Sequence, residues 1–172
     1  MKVAMSASID GSFCMHDISS LVSQLRSPVI KKRREAAVQL GKSANLSAIP
    51  CLVEARSDPH PGVRCDAVQA LGRLGDSSAV PALISSLDDT DPMVRTAAIA
   101  AIGKISDRDA VIPLINCLND KEIPVRIGAA EVLGKLGDNR AAGPLKKIRD
   151  NDVFSEVREA AGAALKKIQA RT

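Results

Sequence analysis

Tryptophan and tyrosine are absent from this sequence and phenylalanine occurs only twice, so the chain has almost no aromatic surface. That argues against a nucleic-acid platform on which bases stack against rings. The four cysteines, Cys14, Cys51, Cys65 and Cys117, form no CxxC pair and no regular pattern with histidine. Such spacing predicts neither a structural zinc site nor a disulfide framework, and it suits a reducing, cytoplasmic setting. No apolar run approaches the roughly 20 residues that cross a bilayer, and the stretch opening Met1-Lys2-Val3 lacks the apolar centre of a secretory signal. A soluble protein without membrane contact is expected.

What the chain does have is aliphatic residues. Hydrophobic residues make up 45% of the sequence, nearly all Ala, Val, Ile and Leu, a composition suited to closely packed helices. A chain of 172 residues hides roughly 70% of its unfolded surface in one core, which needs no cross-link. The net charge of +4 is localised. Residues 1–47 hold seven Lys/Arg against Asp10, Asp17 and Glu35, centred on Lys31, Lys32, Arg33 and Arg34, while the remainder is balanced.

Self-similarity is the main signal. Val63-Arg64, Val94-Arg95, Val125-Arg126 and Val157-Arg158 recur at 31, 31 and 32 residues, and Lys32-Arg33 is a fifth copy 31 residues earlier. Six residues before four of these arginines stand Asp58, Asp89, Asp120 and Asp152, with Ser27 in the first copy. Three residues after each arginine comes Ala36, Ala67, Ala98, Ala129 or Ala161, and seven after comes Leu40, Leu71, Ile102, Leu133 or Leu165. Columns held in register over five copies define one structural unit of about 31 residues.

Each unit divides into two helices. The first is expected to follow a cap such as Ser47, Ser78 or Asp109, with Pro50, Pro81 or Pro113 in its first turn, where the missing N–H removes no bond. A turn such as Asp88-Asp89-Thr90-Asp91-Pro92 follows, with Asp91 placed to cap the second helix and Pro92 to open it. Val94, Ala98, Ala101, Ile102 and Ile105 then form a one-sided apolar stripe, and Gly75-Asp76 or Gly137-Asp138 closes the helix. Gly41, Gly72, Gly103 and Gly134 recur inside the second helices at roughly 1 kcal/mol each against alanine, which predicts close approach of a neighbouring helix. The fold class expected is an all-α solenoid of five tandem hairpins, at residues 18–47, 48–78, 79–109, 110–140 and 141–172, behind a flexible tail of residues 1–17.

The phrases Pro-Ala-Leu-Ile-Ser-Ser-Leu-Asp-Asp (81–89), Val-Arg-x-x-Ala-x-x-Ala-Ile-Gly-Lys (94–104) and Val-Leu-Gly-Lys-Leu-Gly-Asp (132–138) resemble the HEAT-like repeats first associated with phycocyanobilin lyases. The resemblance covers residues 18 to about 170. It implies a right-handed, armadillo-like superhelix with the second helices on the concave face, and it implies framework roles for the aspartate and arginine columns Asp58, Arg64, Asp89, Arg95, Asp120, Arg126, Asp152 and Arg158. It carries two functional expectations: an interaction scaffold, or a subunit acting on bilin-bearing antenna proteins. The absence of Trp and Tyr to pack a tetrapyrrole favours the scaffold.

No catalytic constellation, cofactor motif or metal-ligand spacing emerges. A column repeated in every unit suits a structural ladder, whereas catalysis needs a few groups converging on one point. Cys14, His16 and Asp17 are three potential ligands in the expected tail, a weak signal for a metal site. A second basic column nine residues after each arginine, Lys42, Arg73, Lys104, Lys135 and Lys167, reads either as helix C-terminal charges, worth roughly 0.3–1 kcal/mol each, or as a stripe for an acidic partner. Recognition is expected where the copies disagree: Arg34, Cys65, Asp66, Gln69, Thr96, Ala100, Ile127 and Glu131, with Ile127 as an apolar anchor and Asp66, Gln69 and Glu131 as its rim. Glu131 has a second reading as an i, i+4 partner of Lys135. The partner expected is another protein or peptide segment.

Overall fold

The computed structural model describes residues 13–171. All regular structure among them is helical, in five consecutive pairs. They are α1 (Phe13–Leu25) with α2 (Ile30–Lys42), α3 (Ile49–Ala55) with α4 (Pro61–Leu74), α5 (Val80–Ser85) with α6 (Pro92–Ile105), α7 (Val111–Cys117) with α8 (Ile123–Leu136), and α9 (Ala142–Asn151) with α10 (Ser155–Gln169). Helix α1 begins upstream of Ile18. The expected tail is otherwise outside the described residues, as are the side chains of Cys14, His16 and Asp17.

The first helices enter differently from the sequence expectation. Ser47, Ser78 and Asp109 do not cap them but lie inside short 3-10 turns, Leu46–Ala48, Ser77–Ala79 and Arg108–Ala110. The caps stand two residues earlier, where Asn45, Asp76 and Asp107 accept the N–H of Ser47, Ser78 and Asp109 at 2.8–2.9 Å. The reason is local: the chain leaves a second helix, makes an Asx turn, and needs one tight turn before the α-helix can start. Gly75 and Gly137 supply the left-handed conformation at φ 72° and 69°. Ser106 takes the same conformation at φ 61° without glycine's freedom.

The second helices open as read. Asp91 accepts the Met93 N–H at 2.8 Å, and Pro92 occupies the first helical turn. Each second helix packs on the next, α2 on α4 through to α8 on α10, while each first helix packs on its own partner. The core is therefore a continuous strip between two layers. Leu40, Leu71, Ile102 and Leu133 fill it from the second helices, and Leu52, Leu83, Leu114 and Leu145 fill it from the first, all fully buried.

The inner glycines set the spacing of the second layer. A Cβ on Gly41, Gly72 or Gly134 would lie 2.5–2.7 Å from the nearest atom of Ala70, Ala101 or Ala164, and one on Gly103 would meet Val132 at 2.8 Å. This contact points one way along the array, from each glycine to the following copy. Its end members change accordingly: Gln39 stands in the alanine column of the first copy and Lys166 in the glycine column of the last, both exposed.

Candidate partner-binding face

Beside the glycine contact runs a ladder of charge. The aspartate and arginine of one copy are not partners through their side chains. Arg64 sends Nε and Nη2 forward to both carboxylate oxygens of Asp89, each at 2.7 Å, and Nη1 back to the carbonyls of Asp58 and Pro59. The same forward fork joins Arg33 to Asp58, Arg95 to Asp120 and Arg126 to Asp152, at 2.6–3.3 Å. Each aspartate also accepts an N–H two residues ahead, from His60, Asp91, Glu122 or Phe154. One carboxylate thus ties the preceding helix to its own turn. For Asp89, burial works to raise the pKa, but the Arg64 fork and the Asp91 N–H outweigh it and hold the carboxyl below its ordinary value; Asp58 and Asp120 follow the same pattern.

The ladder places the second helices side by side and leaves part of their surface open. One recess of about 570 Å³ lies between α2 and α4, with Ile30, Val38, Arg34 and Asp66 among its walls. A second, of about 470 Å³, runs over α4 and α6 to the start of α8, and Cys65, Gln69, Thr96, Ala97, Ala100 and Lys104 help to line it.

Five of the expected contact residues, Arg34, Cys65, Gln69, Thr96 and Ala100, therefore border these recesses. Asp66 borders the first but does not serve as a free rim charge. It is 8% exposed and accepts the Arg34 Nε at 2.7 Å, because its position turns toward the preceding second helix. Cys65 is likewise buried: burial pushes its thiol pKa up, while the Gln69 amide lies 3.3 Å from the sulfur. Ile127 is half-buried and lines neither recess, so the anchor expected there is displaced. Lys135 donates to the Gly103 carbonyl in the preceding copy, and no ion pair with Glu131 forms among the described residues. The exposed apolar residue beside the second recess is Met93, 71% exposed, which the sequence reading passed over. Its position varies between copies, but it precedes the Val-Arg pair and lay outside the positions considered. No group of three metal-ligating side chains occurs among the described residues.

Stacked hairpins joined by a forward ladder, with part of the second-helix surface open, define an α-solenoid, a fold typical of protein-interaction scaffolds. The chain belongs to the HEAT-repeat family: the family profile for HEAT repeats matches residues 18–102 and again 80–166. Among solved structures it is similar to the complex of CpcE and CpcF of phycocyanin lyase from Nostoc sp. PCC7120, at 25% identity over 99% of this chain and 71% of that one, TM-score 0.77. A designed armadillo repeat protein in complex with the peptide (KR)4 shares the fold at 21% identity, covering 89% and 82% of the two chains, TM-score 0.70. Comparison with curated protein sequences gives no match.

Proposed function

We propose that this protein is a non-catalytic scaffold that holds a segment of another protein along the second-helix face. The observation that carries this reading is the recess over α4 and α6. Its lining includes Thr96, Ala97 and Ala100, small residues that let a partner approach the backbone, together with Met93 and Lys104. Ala100 is exposed and lies outside the ladder and the glycine contacts, so its side chain is available for recognition. An aliphatic side chain seated there, with an acidic neighbour near Lys104, satisfies both the shape and the charge. Partner capture with purified protein tests the reading. Ala100→Arg and Gln69→Ala are expected to remove the captured partner, while Ile112→Arg on the exposed side of α7 leaves it in place. The opposite pattern would show that the partner uses the first-helix layer.

A second reading has one specific support, the 25% identity to a phycocyanin lyase complex across 99% of this chain. In that reading the same face holds a phycobiliprotein while a bilin is attached. Incubation with apo-phycocyanin and free bilin decides it: a new covalent, spectrally shifted adduct that depends on this protein establishes the activity, and its absence leaves the scaffold.

A further inference from the structure

Arg158 departs from the other four ladder arginines. Arg33, Arg64, Arg95 and Arg126 each have Nη1 on their own turn and Nε with Nη2 on the aspartate 25 or 26 residues ahead. Arg158 keeps the first half, with Nη1 donating to the carbonyls of Asp152 and Val153 at 2.8 and 3.0 Å. No described carboxylate meets its Nε and Nη2, although the side chain is half-buried and held in place. A guanidinium fixed in this way loses little freedom when it takes a carboxylate in two parallel bonds.

We infer that Arg158 is the anion-binding element of a second docking site, at the α10 end of the array, which takes a carboxylate side chain from an acidic segment of another protein. Four copies of the fork within this chain show which ligand the geometry accepts. Its occupant is not a further hairpin stacked like the inner ones, because Lys166 stands where close stacking requires glycine. Nor is it a second copy joined head to tail, since the first copy presents Ser27 where the carboxylate would have to be.

The neighbouring turn points the same way. Val153, whose carbonyl accepts from Arg158, is 86% exposed, while the ring of the adjacent Phe154 lies under the Arg126 guanidinium, 5.6 Å from its central carbon to the ring centroid. Val153 thus displays an apolar side chain on the turn that holds the open guanidinium. The site is separate from the recess over α4 and α6, so the two readings stand or fall independently.

The probe is a fluorescein-labelled peptide reproducing residues 86–92 of this chain, Ser-Leu-Asp-Asp-Thr-Asp-Pro, which carries the carboxylate that the Arg64 fork holds. Anisotropy titration of the intact protein is expected to show saturable binding. Arg158→Lys keeps the charge but not the fork and is expected to weaken binding about tenfold. An Asp89→Asn peptide, which leaves the protein untouched, is expected to do the same. Equal binding by either variant would reduce the effect to general charge attraction and overturn the proposal, as would the absence of saturable binding. Self-association of the protein that Arg158→Lys abolishes, seen by sedimentation, would make the occupant a second copy and overturn it as well.

Discussion

At the scale of single residues, this array shows how one backbone conformation can be met by different side chains at different cost. Gly75 and Gly137 close their helices in the left-handed region, where glycine has no Cβ penalty. Ser106 does the same job at φ 61°, with its hydroxyl donating to the Gly103 carbonyl at 3.1 Å. That hydrogen bond offsets part of a penalty of roughly 1–2 kcal/mol for a residue with a Cβ. Ser106→Gly is therefore expected to stabilise the protein by about 1 kcal/mol, which corresponds to roughly 2–4 °C in a chain of this size. A thermal melt that is unchanged or lower would mean that the hydroxyl contributes more than the strain costs. The glycines made the ends at Gly75 and Gly137 legible in advance, whereas Ser106 gave no such signal. Periodicity could not reveal Asn45, Asp76 and Asp107 as caps, because a 3-10 turn has too few residues to leave a pattern.

At the scale of elements, the second helices are close because glycine faces alanine. Gly72→Ala places a Cβ 2.5 Å from the Ala101 Cβ and 2.6 Å from its Cα, so backbone must shift. The expected loss is about 1–3 kcal/mol, against a gain of roughly 1 kcal/mol in helix propensity. Gly143 in α9 is the control: nothing lies within 4 Å of its Cβ position, and Gly143→Ala is expected to stabilise slightly. Urea unfolding of both variants checks the sign; a neutral or stabilising Gly72→Ala would remove glycine from the account of helix spacing. The glycine column stood out in the sequence because its cost is repeated. Its partner did not, since the constant column at Ala67 and Ala98 looked more suitable than Ala70 and Ala101, whose column varies between alanine, valine and glutamine.

At the scale of the whole molecule, the ladder makes the junctions respond to acid together. Asp58, Asp89, Asp120 and Asp152 all titrate below the ordinary 3.8, because fork and turn bonds outweigh the burial that opposes ionisation. A carboxyl with a depressed folded pKa stabilises the native state fully above its unfolded value, and the contribution disappears as pH falls through the folded value. Tm is therefore expected to hold steady down to about pH 5 and to drop below 3.8, with all five hairpins loosening in one range. Replacing the four aspartates by asparagine should lower Tm at neutral pH and flatten this acid limb, as circular dichroism melts would show. An unchanged acid limb in that variant would assign the transition to other groups.

The sequence by itself determined the repeat, its division into two helices, and the columns devoted to framework, because a unit that cannot bury its apolar side alone must write the same stripe five times. The tertiary structure decided which copies those columns join. The forward reach of Arg64 to Asp89, the burial of Asp66 beneath Arg34, and the opening between α4 and α6 depend on how one hairpin sits on the next. Sequence spacing fixes angles within a helix, whereas the distance and offset between stacked helices arise only when glycine and alanine come into contact.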